Sequence, residues 1–366
     1  MKVKKMDEQV KYCDKEITKI AKKVEKYSLQ LINPLNADKE KQNFFFALHS
    51  NNIYSPCFKY EKAKSFKKEK QSLNLLEKEL KNCVCSKILL ERINSLKTEI
   101  TLLESVNTKN FCHNSKEQYG KPKSAIIKIA KEIISKKIIP EHRNITPIEM
   151  KQKLMPLVEK TGFSISLEKN MSARATVNLV KKKLKLHSGA LFSENDANRL
   201  FVHEVETHIY RHLNGLTQPL EILSLGVGGE YLLTEEGLAA FNEEQSGILS
   251  DAQKKIFAGR LYAVDYALRH DFFETFEEMK RFFDDENAYI ITQRVKRGIL
   301  QEKKGAFTKD HCYFSGLVEL KKKFPDKLQL RDLYYGKVSL SETKMVKKIS
   351  GINPAKYLPR ALIKNN

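Results

Sequence analysis

Tryptophan is absent from the 366 residues, and glycine (15), proline (10) and cysteine (6) are scarce. That scarcity excludes collagen-like, mucin-like and disulfide-scaffold chains. Cys13, Cys57, Cys83, Cys85, Cys112 and Cys312 lack framework spacing, and Cys83-Val84-Cys85 is a lone C-x-C without a partner pair. A reduced, cytoplasmic setting suits them. No 18 apolar residues run together, so no membrane span is expected, and the charged segment Met1 to Val10 has no apolar core of a signal peptide. Arginine clusters, zinc-finger spacing and RNA-binding signatures are missing as well.

What is plentiful is lysine. Lys+Arg number 66 against 45 Asp+Glu, a net charge of +21. Such a charge attracts nucleic acid, anionic membranes and acidic proteins alike. Lysine far outnumbers arginine while asparagine and isoleucine abound, the pattern of AT-rich coding. With no nucleic-acid module present, specific nucleic-acid binding is not expected. Hydrophobic residues make up 41%, enough for a large core.

The first ~120 residues read as helical. Leu89, Ile93, Leu96, Ile100 and Leu103 form one stripe, and Leu73, Leu76 and Leu80 suggest the preceding arm of a helical hairpin. Segments 33–52 and 107–122 read as connectors, the first with Phe44-Phe45-Phe46 docking on the core. Ile126, Ile129, Ala130, Ile133 and Ile134 share a helix face, and Thr146-Pro147-Ile148-Glu149 has the form of a capping box. From Gly162 the period falls to two: Phe163, Ile165 and Leu167, then Val177 and Leu179, then Leu184 and Leu186. These predict a small antiparallel sheet of two or three strands. Helical patterning resumes after a cap at Ser193, broken at Asn214-Gly215 and at Gly226 to Gly229. The fold class is α+β, mostly α, arranged as a helical region 1–122, a catalytic part 123–345 and a tail 346–366.

Chemistry concentrates in Phe201 to Asn214. His203-Glu204 followed by His208 is H-E-x-x-H with one residue inserted. On an ideal helix two residues four apart stand about 40° from one another, but five apart about 140°. One regular turn therefore cannot aim both imidazoles at one metal, whereas a π-bulge brings them to one side. Other readings remain open here: His208 and His212 form an i, i+4 pair, and Glu204 with His208 suits a surface hydrogen bond. Thr234-Glu235-Glu236-Gly237-Leu238-Ala239 starts a later helix. A carboxylate there can be a third ligand or simply complement the helix dipole. Gly237, poor for a helix interior, predicts close approach of the helix carrying His203 and His208.

Together, His203-Glu204-Val205-Glu206-Thr207-His208, Leu213-Asn214-Gly215, Gln218-Pro219-Leu220 and Glu235-Glu236-Gly237-Leu238-Ala239 resemble the QEGLA-motif family. Its bacterial members are labelled flavohemoglobin expression-modulating, and its animal members include the microtubule-associated tyrosine carboxypeptidases. Ser55 to Tyr60, Tyr119 to Pro122, Met171-Ser172-Ala173, Arg294 to Gly298, Phe307 to Asp310 and Gly336-Lys337-Val338 extend the resemblance over most of the chain.

The resemblance implies a zincin-like metallopeptidase with one Zn²⁺ held by His203, His208 and Glu236, and Glu204 as general base. It implies a carboxypeptidase removing a C-terminal residue, such as tyrosine, from a protein or peptide with a free C-terminus. An acidic tail would suit the basic surface. A non-catalytic regulatory protein on the same scaffold is the alternative. Glu206 departs from the family, which usually has glycine there, and is expected at the mouth of the site. Arg174, Arg294, Arg297, Lys309 and Tyr313 are the candidate contacts for the substrate's carboxylate end. The strand from Asn170 to Asn178 is a candidate for pairing with an extended substrate, if it is not fully paired inside the sheet.

Overall fold

Two long apolar stripes start the architecture of the computed structural model, which describes residues 7–81, 83–169, 171, 173–301, 303–324 and 327–363. Helices α1 (Glu8–Ile32), α3 (Lys67–Glu79) and α4 (Val84–Glu104) turn Ile17, Val24, Leu73, Leu89, Ile93, Leu96 and Ile100 inward. This bundle closes on Leu220, Ile222, Leu223 and Val227 and on Phe307, so the N-terminal helices share a core with the remainder of the chain. The Asp14 carboxylate ties the two by accepting the backbone N–H groups of Glu221 (2.6 Å) and Ile222 (3.1 Å).

Both expected connectors contain helix: α2 (Ala37–His49) and α5 (Phe111–Tyr119). Only part of the phenylalanine triplet docks, since α2 presents Phe44 to the core while Phe46 is exposed. Three consecutive residues on a helix diverge by about 100° per step, so one face cannot bury all three. Helix α6 (Ser124–Ile134) precedes α7 (Pro147–Val158), where the predicted capping box forms between Thr146 and Glu149.

The sheet is mixed rather than antiparallel throughout. Strands β1 (Ser164–Glu168), β2 (Ala175–Asn178) and β3 (Lys183–His187) stand in the order β1-β3-β2. β2 and β3 form an antiparallel hairpin with Lys182 at φ 48° in its turn, and β3 runs parallel to β1. β2 begins one strand's width away from β1, and the hairpin's return drops β3 into the gap in the direction of β1. Alternating hydrophobicity reports strands, not their neighbours. Asn170 and Ser172 lie outside the described residues, and the strand expected from Asn170 runs from Ala175.

Helix α8 (Glu194–Leu200) starts on a capping box between Ser193 and Asp196, continues as a π-helix (Phe201–Ile209) and ends as α9 (Tyr210–Gly215). Its outer face, Phe201, Val205 and Ile209, packs on the sheet and α7. Its inner face meets α10 (Tyr231–Gln245). Helices α11 (Asp251–Ala267), α12 (Phe272–Lys280), α13 (Asp285–Lys296) and α14 (Cys312–Lys323) complete the second core around Phe257, Tyr289 and Phe314. With 62% helix and 5% strand, the molecule is α+β and mostly α.

The C-terminal stretch is docked. Asn214 holds Lys356 and Tyr357 through backbone hydrogen bonds of 2.8–3.0 Å. Short helices α15 (Thr343–Val346) and α16 (Arg360–Ile363) flank these residues, and Leu362 enters the second core.

Candidate metal centre

His208 follows His203 by five positions, and the π-helix makes that step close to one full turn. The two imidazoles consequently share a side, with ring centroids 5.0 Å apart. Glu236, in the second turn of α10, faces both. Its Oε2 lies 3.6 Å from His203 Nε2 and 3.7 Å from His208 Nε2. Ligands ~2.0–2.2 Å from a tetrahedral zinc stand roughly 3.3–3.5 Å from one another. The three ligand atoms lie within 4.8 Å of one another, the one such group of three or more metal-ligating side chains among the described residues.

Each histidine is oriented from behind. Glu243 Oε1 is 2.6 Å from His203 Nδ1, and Glu235 Oε1 is 2.6 Å from His208 Nδ1. A carboxylate at Nδ1 keeps the proton there and turns the Nε2 lone pair toward the centre. Glu235 is itself held by Arg211 and Lys337. Burial opposes its ionisation, but those two cations and His208 outweigh this and hold its carboxyl far below the usual range. Burial likewise works against Glu236, and His203, His208 and Lys309 reverse it. His203 shows the converse. Burial would depress its pKa, yet Glu236 and Glu243 raise it to about 10. Glu236 Oε2 is buried and has no hydrogen-bond partner among the described residues, as a buried oxygen reserved for a cation should be. Two imidazoles and one carboxylate whose Oε2 is orphaned fit Zn²⁺.

Glu204 is buried beside His203, and its carboxylate makes no hydrogen bond or ion pair among the described residues. Glu206 is not at the mouth. It is 2% exposed, and its Oε1 accepts from Arg360 Nε at 2.8 Å, on the side where the C-terminal helix docks. His212 is also directed elsewhere, with Nδ1 2.8 Å from the Ser224 carbonyl, so the i, i+4 pair of His208 and His212 does not converge. Gly237 does mark a close approach, but with a different neighbour. A Cβ there would lie 2.4 Å from the backbone of Gly316 on α14, not against the histidine helix.

The candidate substrate contacts divide. Tyr313 stacks on His203, ring centroids 6.2 Å apart and planes 18° apart. Arg294 is committed to Asp310 through Nε (2.5 Å) and Nη2 (3.0 Å). Arg297 lies 3.7 Å from the same carboxylate and 3.3 Å from Asn33 Oδ1. Lys309, on a turn at Thr308–His311, bears on Glu236. Arg174 precedes β2, and its guanidinium makes no hydrogen bond or ion pair among the described residues; burial and neighbouring Arg143 lower its pKa to about 10.

A family model described as microtubule-associated tyrosine carboxypeptidase matches residues 43–366. The chain belongs to this family. No curated protein matches it. The match leaves α1 outside and takes in every residue of the centre. Membership in the tyrosine carboxypeptidase family places the chain among peptidases. Sequence reasoning had missed the orienting pair. Glu236 and Glu243, seven apart on α10, share a face, and that spacing was the available signal for Glu243.

Proposed function

We propose that the chain is a zinc-dependent carboxypeptidase of zincin-like build, with His203, His208 and Glu236 holding the metal and Glu204 acting as general base. One observation carries this reading: Glu236 Oε2, buried and without a hydrogen bond, faces two Nε2 atoms whose Nδ1 partners are both carboxylates. Bound there, Zn²⁺ would polarise the scissile carbonyl and lower the pKa of its water towards ~7. Glu204, next to a ligand and without a hydrogen bond or ion pair among the described residues, would take a proton from the attacking water and pass it to the leaving amine.

An extended substrate has a place to lie. β2 is an edge strand beside the π-helix. Arg174 and His187 form a hydrogen-bonded pair, so the alternation turns the backbone groups of Ala175 and Val177 to the open edge. Strand addition there directs the peptide toward the centre. Arg174, Lys309 and Tyr313 are the proposed contacts for the substrate's C-terminal residue, with Arg294 and Arg297 behind them. The family name and the +21 charge favour an acidic protein tail ending in tyrosine. Six free cysteines agree with a reducing, cytoplasmic setting, and no described helix is long and apolar enough to cross a membrane.

Metal analysis of the purified protein, paired with mass-spectrometric profiling of C-terminal trimming, tests the proposal. One zinc per chain and release of single C-terminal residues are expected. Full zinc and full trimming in His203→Ala would overturn it, and zinc without cleavage of any peptide would favour the regulatory alternative.

A further inference from the structure

Beside the centre lies a positive charge that the fold leaves unbalanced. Arg260, on α11, has its guanidinium 5.5 Å from the Tyr313 ring centroid and 5.9 Å from that of Phe257. Phe257, Tyr313 and His203 form a run of nearly parallel rings, Phe257 and Tyr313 being 5.3 Å apart at 17°. Arg260 and the candidate zinc ligand His203 therefore both lie against Tyr313.

Arg260 is partly buried, whereas three buried arginines around the centre have their forks filled. Arg199 bonds Asp196, Arg294 bonds Asp310, and Arg211 bonds Glu235 and three carbonyls. Arg260 makes no hydrogen bond or ion pair among the described residues, and its Nε is buried without a partner. The carboxylate that bears on it, Asp310, is already gripped by Arg294 and approached by Arg297. Three guanidiniums share one carboxylate, and burial with the Arg294 charge lowers the Arg260 pKa to about 10. A guanidinium stays charged at neutral pH, so this excess calls for an anion. Arg92 and Arg143 also leave Nε without a partner, but among the described residues only Arg260 lies over the Tyr313 ring; Arg174 is partly answered by Asp196 and Glu141, and Lys309 by Glu236 and Glu99.

We propose that Arg260 is the anchor for the α-carboxylate of the residue removed, its open fork taking the two oxygens and making the enzyme an exopeptidase. The planar fork matches a carboxylate in a way an ammonium does not. The inference rests on the peptidase reading and adds the residue that would confine cleavage to the last bond.

The test compares two probes, N-acetyl-tyrosine and its amide, bound to the zinc-loaded protein by calorimetry, and two peptides ending in tyrosine acid or tyrosine amide in trimming. Wild type should prefer the acid roughly 100-fold in both measurements. Arg260→Gln should bring the preference to within about threefold at unchanged zinc content. Arg260→Lys, which keeps the charge but loses the fork, should fall between them. Retention of the wild-type acid-to-amide ratio in Arg260→Gln, or in Arg260→Lys and a second neutral variant, Arg260→Met, would overturn the inference while leaving the peptidase reading intact. Arg260-dependent preference for the acid in a protein that trims neither peptide would support the anchor and sink the peptidase reading.

Discussion

Glu243 Oε1 lies 2.6 Å from His203 Nδ1, fixing the ring so that Nε2 faces Glu236. The carboxylate is fully buried and also lies 3.5 Å from Arg199 Nη1. This contact makes Glu243 a support of the centre rather than a ligand.

Glu243→Gln should therefore weaken zinc binding by about 10–100-fold without removing a ligand, because His203 loses its anionic partner. Chelator competition reads the affinity directly. An unchanged affinity would mean that His203 is positioned by packing alone.

Gly237→Ala should be far more damaging than alanine in a helix ordinarily is. A Cβ would meet Gly316 backbone atoms at 2.4 Å, and backbone cannot rotate away as a side chain can. Separating α10 from α14 should cost about 3 kcal/mol and move the adjacent Glu236. Thermal unfolding and zinc content should fall together in this variant.

Much of this was legible beforehand. The i, i+5 spacing of His203 and His208 required a widened turn, and the π-helix supplies it. The stripe from Leu89 to Leu103 and the caps at Thr146 and Ser193 depend on local chemistry, so sequence displays them. What stayed hidden depends on tertiary neighbours. Strand order turns on where a hairpin returns, and Gly237 announces a close approach without naming Gly316. Glu206 illustrates the same limit: its partner Arg360 is 154 residues away. Arg260 carries no motif at all. It stands out only when the forks of Arg199, Arg211 and Arg294 are seen to be filled.

His212 gives the pH dependence of stability a defined component. Burial lowers its pKa from 6.5 to about 4, against the hydrogen bond to Ser224. The unfolded chain takes up a proton below about pH 6.5, while the folded protein does so only near pH 4. His212 therefore costs stability progressively as pH falls from about 6.5 to 4, by about 3 kcal/mol in all. Asp14, raised by burial to about 6, acts in the opposite direction over much of that range. Denaturant unfolding of wild type and His212→Gln isolates the histidine. The difference in stability between the two should change across that window and stay flat above pH 7.

The most direct measurement of the central claim is trimming by Glu204→Gln with its zinc content determined on the same sample. The amide cannot take a proton from water but leaves His203, His208 and Glu236 in place. Turnover should fall by about 10²–10⁴-fold at one zinc per chain. Wild-type turnover in a zinc-loaded Glu204→Gln would contradict the account.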